Sequence, residues 1–249
     1  MAVIYSLFLT LIFVFAFIVF VLLFFISAPY GKFLRSGWGP SMKSKWAWMF
    51  MEMPSPVLMI LFFFSTDKLS LVNIIFLSLW LFHYLHRSLI YPFTQPGRDK
   101  HYPVLAAGMA FIFNCMNGTV NGYGIFRIMN YEISWLASWQ FITGLILFIT
   151  GFIINKTADE KFRKMRLGNH SDYIIPRGWL FDYVSCPHYF GEIIEWTGWA
   201  VMTWSLPGIA FALFTFANLF PRGIKSHKWY KEKFPDYPAE RKAVIPVVI

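Results

Sequence analysis

The chain has 249 residues, of which 57% are hydrophobic, 21% are aromatic and only 14% are charged. An ordinary soluble domain carries about 25% charged residues, so this composition excludes a typical soluble protein and indicates an integral membrane protein. The net charge of +9 is compatible with nucleic-acid binding, but basic cytosolic loops of a membrane protein explain it more simply. No nucleic-acid partner is therefore expected. Cys115 and Cys186 fit no metal-binding spacing and imply no disulfide framework.

Seven apolar segments are predicted to cross the membrane as helices, for which about 20 residues suffice. The first, Val3–Ile26, lacks the basic start and the cleavage site of a signal peptide and is predicted to be retained. The second, Trp46–Phe64, contains Glu52, Pro54 and Pro56, so its helix must kink or break there. The remaining spans are predicted at Leu69–Tyr91, Pro103–Val120, Ser138–Asn155, His188–Thr203 and Leu206–Phe220.

Basic residues are distributed unevenly between the loops. With the N-terminus outside, the cytosolic segments hold 19 Lys and Arg, and the outer segments hold 2, Lys68 and Arg127. The positive-inside rule then predicts a lumenal or outer N-terminus and a cytosolic C-terminus. The polar stretch 156–187 is predicted to be a loop, and no repeat or linker divides the chain. The expected fold is one all-α domain over residues 1–249, a monomer in contact with membrane lipid. The membrane would be the endoplasmic reticulum in a eukaryote or the inner membrane in a bacterium.

Polar side chains cluster at the end of the third span. At about 100° per residue, Tyr84, Arg87 and Tyr91 fall within an arc of roughly 60°. His83 lies beside them and His86 points to the far side. Charged groups at membrane depth are unfavourable and usually face a polar interior, so this stripe is a candidate site. The alternative is that its Arg and Tyr side chains only extend to the lipid headgroups.

Glu52, inside the second apolar run, is a further candidate. An apolar environment favours the neutral carboxylic acid, which can donate a hydrogen bond or a proton. The alternative is a glutamate at the membrane interface beside the proline kink.

His188-x-x-x-Glu192-x-x-Glu195 places three polar groups on one face of the sixth span. Di-iron bundles use such spacings, but they need matching clusters on partner helices, and no metal is expected here. Hydrogen bonding to a ligand or to loop arginines is the favoured interpretation. The alternative is a buried ion pair with Arg166 or Arg222.

Basic residues of several cytosolic loops could converge on one anion. A phosphorylated cofactor would suit them because arginine binds phosphate through its planar fork, although attraction to anionic lipid is an alternative. No Gly-x-Gly-x-x-Gly and no P-loop occur, so a nucleotide would bind without a Rossmann fold. The spacing of Asn155 and Asp159 is compatible with nucleotide contacts or with a helix end. The basic set comprises Lys32, Arg98, Arg163, Lys164, Arg166, Arg177, Arg222 and Lys228.

Several motifs share their order with one known family. The tail reads His-Lys-Trp-Tyr at 227–230, Phe-Pro-Asp-Tyr-Pro at 234–238 and Arg-Lys-Ala-Val-Ile-Pro at 241–246. Upstream stand His-Tyr-Leu-His-Arg at 83–87, Gly-Glu-Ile-Ile-Glu-Trp at 191–196 and Thr-Trp-Ser-Leu-Pro at 203–207. From about residue 30 to the end, the chain resembles the steroid 5α-reductase family.

The resemblance implies a seven-helix fold that binds NADPH in a cytosolic cavity and reduces the 4-ene double bond of 3-oxo-4-ene steroids. Glu52 and Tyr84 would be catalytic by hydrogen-bonding the C3 carbonyl oxygen, onto which hydride addition at C5 pushes charge. C4 would take a proton from water, and His86 would only pack. The implied cofactor contacts are Lys32, Trp48, Arg87, Tyr91, Arg98, Asn155, Asp159, Arg166, His188, Glu192, Arg222, His227 and Tyr230.

Three positions depart from the family pattern. Ile174 stands where many members have a basic residue, His188 replaces the usual Asn, and Ser226 replaces one of two adjacent histidines. Each departure affects one of the implied contacts with a phosphate or amide group of the cofactor. The alternative functions are an enoyl-CoA or polyprenal reductase of the same superfamily, an isoprenylcysteine-type methyltransferase binding S-adenosylmethionine, and a transporter that uses Glu52 and Arg87.

Overall fold

The computed structural model describes residues 1–67, 69–167 and 174–249. Over these residues the chain forms nine α-helices, which confirms the predicted all-α class. Two wider π-helical turns, His86–Ile90 and Gly124–Ile128, follow α4 and α6 directly. The helices are α1 (Ala2–Phe25), α2 (Ser44–Glu52), α3 (Pro54–Phe64), α4 (Leu71–Leu85), α5 (Tyr91–Thr94), α6 (Val104–Tyr123), α7 (Trp139–Leu167), α8 (Pro187–Thr203) and α9 (Leu206–Lys233).

Five segments of the described chain are long and apolar enough to cross a membrane. Large apolar side chains such as Val3, Phe17 and Phe25 lie exposed on α1, as expected of a helix that faces lipid. The chain is therefore a membrane protein. The remaining two predicted spans correspond to α8, with 17 residues, and α9, with 28 residues. The five segments are Ala2–Phe25, Ser44–Phe64, Leu71–Thr94, Val104–Ile128 and Trp139–Arg166.

The second predicted span breaks where its prolines predicted. α2 ends at Glu52, and α3 starts at Pro54, the first helical position, where a proline loses no hydrogen bond. Met53 joins the two helices with helical backbone angles. The break therefore leaves Glu52 at a helix end inside the membrane segment.

The third predicted span contains a wide turn that the sequence analysis did not predict. Within it, the backbone N–H of Tyr91 donates to the carbonyl of His86, five residues earlier. Pro92 accounts for this geometry, since it lacks an N–H and its ring clashes with the carbonyl four residues before it. The turn changes the direction of every side chain after Leu85, and such turns are frequent at functional sites.

The helices α6, α7 and α9 continue beyond the predicted ends of their spans. Residues 156–167 were predicted to belong to a loop but form the last turns of α7, so that prediction was wrong. Glu160 pairs there with Arg163 at 2.7 Å and with Lys164 at 3.3 Å, a spacing that stabilises helices. A change from apolar to polar residues therefore shows where the helix leaves the membrane, but the helix itself continues into the polar stretch. Residues 168–173 of the predicted loop lie outside the described residues.

A short antiparallel ribbon joins two loops that are distant in sequence. Strand β1 (Ser41–Lys43) pairs with β2 (His101–Pro103), with Met42 opposite Tyr102. The backbone N–H groups of Ser44 and Lys45 extend this pairing to the carbonyls of Lys100 and Arg98, at 2.9 and 2.8 Å. The ribbon ties the start of α2 to the loop before α6, and an all-α prediction did not include it.

α7 and α8 pack with their backbones nearly in contact, and glycine makes this approach possible. A Cβ atom on Gly151 would lie 2.3 Å from the backbone nitrogen of Glu195, and one on Gly198 would lie 2.4 Å from that of Phe148. Gly144 and Gly191 are equally crowded by the opposite helix. The glycines are seven residues apart on each helix, so both pairs lie on one face.

Aromatic side chains fill the centre of the bundle. Trp80, Trp196 and Trp199 are fully buried, and the Trp80 ring lies 5.3 Å from that of Trp196. The Tyr84 ring stacks on Trp80 at 5.0 Å. Tyr84 is therefore held on two sides by rigid rings, and its hydroxyl group has a fixed direction.

Candidate active site

A cavity of about 310 Å³ opens among the loop after α1, α2, α5, α7, α8 and α9. This volume is at the lower end of the range of about 300–1,000 Å³ for small-molecule sites. Eleven of the thirteen predicted cofactor contacts line it. They are Lys32, Trp48, Arg87, Tyr91, Asn155, Asp159, Arg166, His188, Glu192, Arg222 and Tyr230.

Two predicted cofactor contacts lie elsewhere. The Arg98 side chain is 57% exposed and contacts Asp99 at 3.3 Å and the carbonyl of Phe93 at 2.9 Å. His227 shares a hydrogen bond of 2.6 Å with Ser185. Both stand beside a cavity-lining residue in the sequence, but the chain direction turns their own side chains away from the cavity wall.

Arg87 is the electrostatic centre of the cavity. Its guanidinium group lies 3.8 Å from the carboxylate of Glu52, 4.0 Å from that of Asp159 and 3.7 Å from that of Glu192. These distances are ion-pair distances and exceed those of normal hydrogen bonds. One cation thus joins carboxylates from three different helices, and the predicted stripe on the third span faces a polar interior.

Two aromatic rings flank the same guanidinium group. Its central carbon lies 4.4 Å from the Trp48 ring and 4.7 Å from the Tyr91 ring. Planar stacking of this kind suits arginine more than lysine. The two rings therefore restrain the orientation of the Arg87 guanidinium plane, while the carboxyl groups restrain its position.

His86 was expected to pack on the far face of its helix, but it lies at the cavity wall. The wide turn that begins at His86 accounts for the difference, because the predicted geometry assumed 100° per residue. Its buried Nδ1 atom has no hydrogen-bond partner among the described residues.

Other polar atoms on the wall also lack hydrogen-bond partners within the described chain, although one of them, Oδ2 of Asp159, is the atom 4.0 Å from Arg87. They are Oδ1 of Asn155, Nζ of Lys156 and Oδ2 of Asp159. Asn155 uses its amide nitrogen to donate to the carbonyl of His188 at 2.9 Å and to Glu192 at 3.2 Å. Buried polar atoms are rarely left without partners, so these atoms indicate a ligand with several hydrogen-bonding groups.

The cavity wall on the side of α9 is cationic and aromatic. Nζ of Lys32 lies 4.3 Å from the Tyr230 ring, and Arg222 donates a hydrogen bond to the hydroxyl oxygen of Tyr189 at 3.1 Å. Burial lowers the pKa of the Lys32 ammonium group to about 8, and the positive charge of Arg166 adds to this effect. Three cations around one space form a site for an anionic group.

The candidate catalytic residues lie together beside the cavity. Asn114, on α6, donates from Nδ2 to Oε2 of Glu52 at 3.3 Å. The hydroxyl group of Tyr84 donates to Oδ1 of the same amide at 3.5 Å. Asn114 and Asn117 were not predicted as site residues. Three asparagines at positions 114, 117 and 121 of an apolar span were the signal that could have identified this polar face.

The acidic residues of α8 form different pairs from those considered in the sequence analysis. Glu192 pairs with Arg87, and Glu195 lies fully buried with its Oε1 atom 2.7 Å from Nδ1 of His83. Among the described residues, Arg222 forms no ion pair with either carboxylate. Among the described residues, no cluster of three or more His, Cys, Asp or Glu side chains could hold a metal ion.

Comparison with known proteins identifies the family. Residues 100–249 match the family model described as 3-oxo-5-alpha-steroid 4-dehydrogenase, and this stretch covers more than half of the chain. The chain belongs to this family. It is therefore an oxidoreductase, and the resemblance seen in the sequence motifs is confirmed.

Members of the 3-oxo-5-alpha-steroid 4-dehydrogenase family resemble the chain over most of its length. Steroid 5-alpha-reductase DET2 of Arabidopsis thaliana is 45% identical, over 92% of this chain and 90% of the relative. 3-oxo-5-alpha-steroid 4-dehydrogenase 1 of Bos taurus is 40% identical, over 92% of this chain and 91% of the relative. The Homo sapiens protein of that name is 41% identical, over 80% of this chain and 78% of the relative.

The tail motifs that the chain shares with the family serve two structural purposes. Tyr230 lines the cavity. His227 and Tyr237 instead both contact the hydroxyl group of Ser185 at 2.6 Å. The backbone of Ser185 also donates to the carbonyl of Lys242 at 2.8 Å. Part of the tail signature therefore fastens the end of the chain to the loop before α8.

The three departures from the family pattern lie in different settings. His188 and Ser226 are on the cavity wall. Ile174 is half-buried and is not among the residues that line the cavity.

Proposed function

We propose that the chain reduces the 4-ene double bond of 3-oxo-4-ene steroids with NADPH and yields 5α-reduced 3-oxo steroids. The observation that carries this proposal is the junction of two groups of residues at Arg87. On one side, Glu52 and Tyr84 form a pair of candidate donors bridged by Asn114. On the other side lies the cavity with its cations and unpartnered polar atoms. The names of the relatives support a steroid substrate.

The residues of the cavity fit a phosphorylated dinucleotide. Lys32, Arg166 and Arg222 would hold its phosphate groups, and arginine suits phosphate through its planar fork. Oδ1 of Asn155 and Oδ2 of Asp159 are acceptors for amide or hydroxyl donors. When bound, NADPH supplies the hydride that adds to C5 of the steroid.

Glu52 and Tyr84 would act on the C3 carbonyl group of the substrate. Addition at C5 moves negative charge through C4 onto the C3 oxygen, so hydrogen-bond donors at that oxygen stabilise the transition state more than the ground state. Tyr84 offers a hydroxyl group, and Glu52 offers its carboxyl group in the neutral form. C4 then takes a proton from water.

The proposed topology is a single domain with seven spans, an outer N-terminus and a cytosolic C-terminus. The distribution of basic residues supports it, although Lys68 lies outside the described residues. The Trp204 ring at the end of α8 lies 5.3 Å from Trp139 at the start of α7, so the antiparallel helices cover the same depth. Pro207 at the start of α9 packs near Gly124, which also faces Tyr5 of α1, so α9 begins at the outer side with α1.

The test is turnover by the purified protein. In detergent, NADPH oxidation is expected on addition of testosterone or progesterone, with the 5α-reduced product identified by mass spectrometry. Loss of one preorganised donor typically costs about 100- to 1,000-fold in kcat, and Tyr84→Phe and Glu52→Gln are expected to fall in this range.

Tyr131→Phe is the matched control, because its buried hydroxyl group donates to the carbonyl of Thr203 far from the cavity. It should keep its kcat. If the protein oxidises NADPH with a trans-2-enoyl-CoA or a polyprenal but with none of the steroids, the alternative reductase function is favoured and this one is rejected.

A further inference from the structure

Three amides form a row along the inner face of α6. Asn114, Asn117 and Asn121 are three and four residues apart, so they follow one another on the same face of the helix. All three are buried. Burying an amide is unfavourable unless it is hydrogen-bonded, so the partners of this row indicate why it is present.

The row carries hydrogen bonds that all run in one direction. Nε1 of Trp199 donates to Oδ1 of Asn121 at 3.0 Å. Nδ2 of Asn121 donates to Oδ1 of Asn117 at 2.9 Å, and Nδ2 of Asn117 donates to the hydroxyl oxygen of Tyr84 at 3.5 Å. Because an indole N–H can only donate, Trp199 fixes the orientation of each amide after it.

The direction continues beyond Tyr84. Its hydroxyl group accepts from Asn117, so its proton points to Oδ1 of Asn114, at 3.5 Å. Nδ2 of Asn114 in turn donates to the carbonyl of Met51 at 2.8 Å and to Oε2 of Glu52 at 3.3 Å. Both of its N–H groups are used, so the amide cannot turn over. At the end of the row, Oε2 of Glu52 is an acceptor, and Oε1, which lies 3.8 Å from Nε of Arg87, is the oxygen left to carry a proton.

We propose that Asn114 and Asn117 are positioning residues for the reaction, and that Oδ1 of Asn114 occupies the role of the substrate carbonyl in the free enzyme. This inference rests on the proposed function of Glu52 and Tyr84. The C3 oxygen of the steroid replaces Oδ1 of Asn114 as the acceptor of the Tyr84 proton. The contact of 3.5 Å that it replaces is long, whereas a bonded hydroxyl group normally lies about 2.7 Å from its acceptor, so the exchange is favourable.

The first test is a double-mutant cycle. Asn114→Leu keeps the side-chain volume and removes both contacts, and kcat with steroid is expected to fall about 10- to 100-fold, because small misplacements of reacting groups have effects of this size. The KM for NADPH should stay unchanged. In a Glu52→Gln, Tyr84→Phe background the same substitution should cost less than about 3-fold, since residues acting through one network are not additive.

Asn117→Leu provides a second variant, which removes the contacts with Tyr84 and Asn121 but none with Glu52. Its effect should disappear in the single Tyr84→Phe background. Equal losses of kcat in the parent and in the Glu52 and Tyr84 backgrounds would overturn the inference, because they would mean that the amides act elsewhere.

The second test needs no turnover. The infrared absorption of the Glu52 carboxyl group is identified by its loss in Glu52→Gln, and it should shift in Asn114→Leu. Asn73→Ala, which removes a buried amide of α4 away from the site, should leave it in place. An unshifted band in Asn114→Leu would overturn the inference. A shifted band in a protein that does not reduce any 3-oxo-4-ene steroid would reject the proposed function but support the contact.

Discussion

At the scale of single residues, Arg87 carries the largest electrostatic load. It compensates Asp159 and Glu192, lies 3.8 Å from Glu52, whose carboxyl group is neutral under the proposed function, and is 13% exposed in its side chain. Removing one partner of a buried ion pair typically costs about 3–5 kcal/mol, because the other charges remain without compensation. Arg87→Met is therefore expected to lower the unfolding temperature in detergent more than Arg87→Lys, which keeps the charge. Equal unfolding temperatures for both variants and the parent would show that the carboxyl groups do not need this cation.

The proposed binding of an anion by Lys32 should depend on pH. The protonated ammonium group attracts phosphate, and its pKa is lowered from the usual value to about 8 by burial and then by Arg166. The contribution of Lys32 to NADPH affinity should therefore be complete at pH 6 and be lost as the pH rises through about 8. Titration calorimetry across this range measures it. The Lys32→Arg variant should bind NADPH with equal affinity at both ends of this pH range. If the affinity of the parent protein does not change with pH, Lys32 does not bind the phosphate.

At the scale of elements, the contact of α7 with α8 depends on the absence of side chains. Gly151→Ala places a methyl group 2.3 Å from the backbone of Glu195, so the helices must separate. Overpacking of this kind costs about 1–3 kcal/mol, and the separation should also lower activity through Asn155. Gly108→Ala on α6 meets no atom within 4 Å and should be neutral or stabilising. Thermal unfolding of both variants compares them, and equal shifts would reject the packing argument.

The elements also show how far the sequence predicts this structure. Apolar runs located the first five spans, and the prolines located the break beside Glu52. The wide turn before Pro92 was missed because a period of 100° per residue was assumed throughout. The ribbon was missed because strands of three residues leave no periodic pattern. In the site, the order of the motifs correctly predicted eleven residues that line the cavity. Arg98 and His227 were also predicted there, but the direction of a side chain depends on the tertiary structure, and theirs do not line the cavity.

At the scale of the whole molecule, the proposed seven spans place Leu206 outside and Lys233 in the cytosol. Single cysteines can be introduced at Glu132, Lys161, Leu206 and Lys233 after replacement of the two native cysteines. A membrane-impermeant maleimide applied to the outer face should label positions 132 and 206 but not 161 or 233. Protection of position 206 from the outer reagent would mean that α8 and α9 do not cross, and five spans would remain.

The glycine contact between α7 and α8 has a consequence for how a ligand enters and leaves. Two backbones in direct contact cannot slide or tilt against each other, so that side of the cavity is a fixed wall. The cavity is also lined by Lys32, in the loop after α1, and by Tyr102, in the ribbon. The ribbon couples the segment before α2 to the segment before α6, so these two segments are expected to move together. The proposed cofactor would then exchange through a joint motion of the β1–β2 side, and a disulfide across the ribbon should slow its release while leaving Glu52 and Tyr84 in place.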